Sequence, residues 1–208
     1  MGQHVDGDGQ VDYAGIKENP AALKALVAAI KTISPDELAK DDRKAFLVNA
    51  YNVLVIENII NHYPTDSPLS IEGFFDASTF HVGGKPYTLN DLEKGYLYQV
   101  FPDARLHFAL VCAAKGCPVL IPTAYRGATL GAQLDAQTRV AMNSELHVRV
   151  ETSAKTVHLS ELFTWYASDF ELSSGSAIDY VNTFRNAAIP SDFKVAVIPY
   201  NWELNSQN

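Results

Sequence analysis

Cys112 and Cys117 are the only two cysteines of the chain, and they fall in one short run, Arg105-Leu-His107-Phe-Ala-Leu-Val-Cys112-Ala-Ala-Lys-Gly-Cys117-Pro118. Thiols this close can be joined by a disulfide, share a metal, or include one reactive thiolate. Lys115 and a turn at Gly116 would favour a thiolate at Cys117, through a nearby cation and backbone N–H groups. With His107 or His81 as base, Cys117 or Cys112 would then be the nucleophile of a Cys-His hydrolase or acyltransferase. Joined instead, the two sulfurs would lock one wall of a ligand- or partner-binding cleft. A thiol–disulfide oxidoreductase is a further reading, although its cysteines usually stand two residues apart, not four. A zinc site would need both cysteines and two scattered histidines at a spacing that matches no standard finger, so neither a metal nor a cofactor is expected.

Other residues could serve the same site. Asn49 and Asn52 lie three apart in Phe46-Leu-Val-Asn49-Ala-Tyr51-Asn52, on the apolar side of a helix. A buried amide must be hydrogen-bonded, so each either ties down loop backbone or orients a substrate. Glu93 and Asp169 are carboxylates able to act as acid or base, or to orient a histidine. Arg105 and Trp165 complete the candidates for binding. The aromatic clusters at Trp165-Tyr166 and Tyr200-Asn-Trp202 read as packing, with their indole N–H groups bonded, in preference to a ligand platform.

The elements that must hold these residues follow from periodicity. Leu23, Leu26, Val27 and Ile30 mark an amphipathic helix from Pro20 to Thr32, and a long helix runs from Asp42 to His62, where Tyr63-Pro64 stops it. Phe80–Tyr87 reads as a hairpin around Gly83-Gly84, and Thr88-Leu-Asn-Asp91 as the capping box of a helix carrying Glu93. Arg105 to Ala114 is expected to be helical until Gly116 and Pro118 break it. A helix over Leu130–Met142 precedes a hairpin of Val148–Glu151 and Thr156–Leu159. Ser160 is expected to cap a helix burying Leu162, Phe163, Tyr166 and Phe170, followed by a helix over Ser176–Asn186 and a strand over Lys194–Pro199. Asp-Gly pairs make residues 4–12 a turn leading into extended Val11-Asp12-Tyr13, and residues 1–10 read as a flexible, truncated start. The fold class is α+β: a mostly helical single domain over residues 1–208, with a small antiparallel sheet built from hairpins.

Composition narrows the partners. The 208 residues are 47% hydrophobic and include ten Tyr, ten Phe and two Trp, enough for a sizeable core. A net charge of −8 with no basic stripe argues against nucleic acid. No apolar run reaches the roughly 18 residues of a membrane span, and Met1–Gly9 has no apolar signal region. The expected partner is a small molecule or a protein.

The chain resembles the family known as domain of unknown function 547. The matching pieces are Phe46-Leu-Val-Asn49-Ala-Tyr51-Asn52, His81-Val82 through Glu93-Lys-Gly95, and Asp103 through Pro118. Later ones are Leu159-Ser160, Phe163-Thr-Trp165-Tyr166, Asp169-Phe170 and Tyr200-Asn-Trp202-Glu-Leu-Asn205. The resemblance implies one domain from near residue 4 to the end, and a periplasmic or otherwise exported protein whose cysteines are oxidised. It also places Asn49, His81, Glu93 and His107 in one motif set. The chain departs from the pattern at Tyr98, where an arginine is expected, and at Ala104, where proline is common.

Overall fold

The computed structural model describes residues 2–207; Met1, part of the segment expected to be a flexible start, and Asn208 lie outside the described residues. The architecture is α+β and mostly helical. Its centre is α3 (Lys40–His62), apolar around most of its circumference because other elements cover it. Those elements include α1 (Tyr13–Glu18), α2 (Ala21–Thr32) and a π-helix (Asp91–Leu97). They enclose a first core with Leu47, Leu54, Ile56, Leu92 and Leu97.

The hairpin of β1 (Phe80–Val82) and β2 (Lys85–Tyr87) turns at Gly83 and Gly84, both left-handed, as a tight two-residue turn requires. Their amides bond to the Ile30 and Lys31 carbonyls at the end of α2, so one turn closes the hairpin and finishes the helix. Thr88 and Asp91 then exchange two hydrogen bonds, at 3.0 and 3.1 Å, as the capping-box pattern predicts. The turn they open is the wider π-helix, which buries Leu92, Glu93 and Leu97 and continues into α4 (Tyr98–Val100).

A second core lies between α5 (Leu130–Met142), a three-stranded sheet, α6 (Leu162–Trp165), α7 (Ala167–Ser174) and α8 (Ala177–Phe184). The sheet is β3 (Val148–Glu151), β4 (Thr156–Ser160) and β5 (Lys194–Ile198). Both expected hairpins form, β1–β2 and β3–β4, and the late strand β5 joins the second by running parallel to β4, which makes that sheet mixed. The chain reaches β5 only after α6, α7 and α8, and such a crossover returns it in parallel.

Three local expectations change. Arg105–Ala114 is not a helix; a 3-10 turn (Ala104–Phe108) gives way to irregular backbone. Consecutive residues there serve different cores, Phe108 in the second and Leu106, Ala109 and Leu110 in the first, which no single helix face allows. Ser160 ends β4 and caps nothing, and the helix after it breaks at Tyr166 into α6 and α7. Val11 forms bridges to Val5 and Ser206, but Asp12 caps α1, its carboxylate accepting from the Gly15 N–H, so Tyr13 is helical.

No helix among the described residues is long and apolar enough to cross a membrane.

Candidate functional site

The two cores leave a cleft of about 430 Å³ between them. The π-helix brings Glu93, α4 brings Tyr98, and the irregular segment brings His107 and Cys112. Trp165 and Tyr166 come from the break between α6 and α7, and Tyr200 and Trp202 from the segment after β5.

Glu93 is 8% exposed. The Tyr166 hydroxyl donates to it at 3.1 Å. Burial raises its pKa above the usual glutamate range, against hydrogen bonds from Tyr51 and Tyr166 that favour the carboxylate. The floor of the cleft is therefore a carboxyl group held toward its neutral form.

His107 stacks between Tyr98 and Tyr166, with ring centroids 4.7 and 3.8 Å away. Burial lowers its pKa to about 4, although Asp169 opposes the shift. The neutral ring has one N–H, and the Asp169 carboxylate, 2.8 Å from Nε2, can only accept it. Nδ1 must then accept from the Tyr98 hydroxyl at 2.7 Å. Both nitrogens are taken, so His107 is not paired with either sulfur. Tyr98, at the position where the family resemblance leads one to expect arginine, here holds His107 through this bond.

The sulfurs of Cys112 and Cys117 lie 2.8 Å apart, and both cysteines are free thiols. Cys112 is half-buried and lines the cleft, while Cys117 sits buried behind it. Burial would raise the Cys117 pKa, but hydrogen bonds from Cys112, Tyr200 and the backbone N–H groups of Ala114 and Cys112 lower it. Its bond to Cys117, then burial, raises Cys112. Lys115, the cation expected beside Cys117, instead reaches outward to Glu203 at 2.9 Å.

The other candidates serve the framework. Asn52 donates to the Ala109 carbonyl and accepts from the Val111 N–H, both at 2.9 Å, holding the segment between His107 and Cys112. Asn49 makes the same pair of bonds to Tyr125, at 2.8 and 2.9 Å. Arg105 is clamped at 2.7 Å by both Asp103 and Asp135. Burial opposes the Asp103 carboxylate, but Arg105 and Lys44 overcome it and bring its pKa down to about 2. His81 is exposed on β1 and borders a different hollow with Glu57 and Asn61, so it is not part of the cleft. Neither Asn49 nor His81 meets Glu93, and the thiol–imidazole pair is not assembled.

Sequence reasoning did not single out Tyr51, Tyr98, Tyr166, Tyr200 or Trp202 as site residues. Most of them stood in the quoted motifs, and an aromatic kept beside a polar residue was the available signal. Trp165, Tyr200 and Trp202 pack with centroids 4.7 to 5.9 Å apart and form one wall. The sequence alone reads Tyr200 and Trp202 as packing and offers Trp165 for binding; all three line the cleft.

Fold and site together describe an α+β protein with an aromatic-walled cleft over a buried carboxyl group. The chain belongs to the family described as protein of unknown function DUF547, whose model matches residues 35–140, about half of it. Glu93, His107 and both cysteines fall within the match; Trp165, Asp169 and Tyr200 lie beyond it. No curated protein and no solved structure matches the chain.

Proposed function

We propose that residues 1–208 act as one domain that binds a small molecule, or a side chain of a partner protein, in the cleft above Glu93. The carrying observation is the buried Glu93 carboxyl, bonded by tyrosine and open to a cavity of about 430 Å³ with aromatic walls. Ligand sites combine such apolar walls with a few converging polar groups, and this volume lies in their usual range. A neutral carboxyl offers a hydrogen-bond donor that a carboxylate lacks. Ring faces of Trp165, Tyr200 and Trp202 suit a flat or ring-shaped group, and Asn90 and Lys94 add polar contacts.

The family resemblance supports an exported protein, where Cys112 and Cys117 would be joined and close one wall of the cleft. Protein purified from that compartment should then be two hydrogens lighter than its reduced form. An equal mass before and after reduction would remove the disulfide from the account.

Both tryptophans of the chain, Trp165 and Trp202, line the cleft, so ligand binding should alter intrinsic fluorescence. A metabolite library is screened by fluorescence against wild type and Glu93→Leu, which keeps the bulk and removes both donor and acceptor. At least one compound should give saturable binding, weakened about tenfold or more by the substitution through loss of a buried hydrogen bond. Compounds that bind both proteins equally, or none at all, would reject Glu93 as the anchor.

A further inference from the structure

We propose that Cys112 and Cys117 exchange with disulfides that enter the cleft, Cys112 as the attacking sulfur and Cys117 as the resolving one. Access assigns the roles: Cys112 lines the cleft, whereas Cys117 is 5% exposed and lies behind it. The surroundings of Cys117 supply the chemistry. Its sulfur is approached by the Cys112 N–H at 3.1 Å, the Ala114 N–H at 3.4 Å, the Tyr200 hydroxyl at 3.0 Å and the Cys112 thiol at 2.8 Å. Both amides reach the one sulfur, and Ala113 between them has a positive φ of 67°, in the left-handed region. That conformation strains an alanine, and the C-terminal segment holds it in place. Asn205 N–H bonds to Ala113 O, Lys115 N–H to Glu203 O and Gly116 N–H to Asn201 O, at 2.7 to 3.0 Å.

An inert structural disulfide has no use for this arrangement. Two amides and the Tyr200 hydroxyl donate to this one sulfur, and the Cys112 thiol can donate when Cys117 is ionised; together they stabilise a thiolate, which exists only in the reduced state. Stabilising the reduced state makes the disulfide form more oxidising and more readily exchanged.

The exchange balances without a cofactor. The Cys112 thiol passes its proton to the Cys117 thiolate, and the Cys112 sulfur attacks one sulfur of R–S–S–R, expelling RS⁻. RS⁻ takes the proton from Cys117, whose thiolate then attacks the Cys112 sulfur and expels the second RS⁻. One thiol and one thiolate are replaced by the Cys112–Cys117 disulfide, and one RSH and one RS⁻ leave; the protein is oxidised by the two electrons that reduce the substrate. The substrate class is a disulfide, either of a small thiol or of a protein segment. The cleft serves here only as the route in, so this activity and ligand binding at Glu93 can fail separately.

Reduced wild type, Cys112→Ser and Cys117→Ser are each treated with glutathione disulfide, and intact masses are followed with time. Wild type should lose two hydrogens and keep no adduct, while Cys117→Ser should retain one glutathione on Cys112. Cys112→Ser should react at least about tenfold more slowly, its remaining sulfur being shielded. Equal trapping on both variants, or no reaction in folded protein whose thiols are countable after denaturation, would overturn the proposal. In glutathione redox buffers Tyr200→Phe, which keeps the ring, should shift the equilibrium several-fold toward the disulfide. A wild-type disulfide that persists in excess reduced glutathione would also overturn it. Parallel single-turnover reactions with insulin identify the source: oxidation of the reduced protein by one equivalent of insulin indicates protein disulfides, and oxidation by glutathione disulfide alone indicates small ones.

Discussion

Burial, more than any neighbouring charge, shifts the pKa values of Glu93, His107 and His147. His147 shows the effect without complication: both ring nitrogens are buried without a partner, and burial lowers its pKa to about 4. The folded state therefore prefers neutral His147, whereas the unfolded chain takes up its proton near pH 6.5. Stability from this residue is complete above that pH and falls as the pH drops toward 4, by on the order of 3 kcal/mol. His107 adds loss in the same direction, opposed by Asp169. Urea melts at pH 7, 5.5 and 4 should show a smaller loss for His147→Leu than for wild type; parallel curves would contradict the assignment. At this scale the sequence was partly legible. Cys112 and His107 stand out as polar groups in an apolar run and Glu93 as a carboxylate on a capped helix, and all three line the cleft. His81 had the same residue type but falls on an exposed strand position, because alternation along three residues of β1 sends Phe80 and Val82 inward. His147, outside every motif, gave no signal.

Among the elements, α3 does more than fill the core. Two of its four asparagines, Asn49 and Asn52, replace backbone partners that the irregular segments lack, a role that side-chain amides on a buried helix can perform. Asn52 is 5% exposed and satisfies Ala109 and Val111, both buried, so Asn52→Ala strands two polar groups and should cost about 2–4 kcal/mol. Asn49 is half-buried, and Asn49→Ala should cost about half as much. Only Asn52→Ala should also speed alkylation of Cys112, since the segment leading to it is loosened. Equal destabilisation with unchanged alkylation would refute this division of labour. Helices with strong periodicity and punctuation were readable in advance, as α2, α3 and α5 show. The Arg105–Ala114 segment was not, because its helix formers answer to two cores and to an asparagine more than fifty residues earlier. Nor was the π-helix, whose capping box is that of an ordinary helix.

The whole molecule is two cores joined by one threaded segment, with the cleft where they meet. Mixed helix and strand composition made the α+β class evident, but the parallel β4–β5 pairing depends on a crossover that no local pattern encodes. The cleft was equally hidden: its aromatic wall comes from residues 72 to 109 positions beyond Glu93, and each cluster alone looks like packing. The central claim is that this junction buries Glu93 among tyrosine hydroxyls, and that burial raises its pKa above the usual glutamate range. Direct ¹³C NMR titration of the Glu93 carboxyl tests it. The carboxyl should titrate above the ordinary glutamate range, and higher still in Tyr166→Phe, which removes a hydrogen bond that favours the carboxylate. An ordinary midpoint, unmoved by that substitution, would mean the floor of the cleft is open to water and would contradict the account.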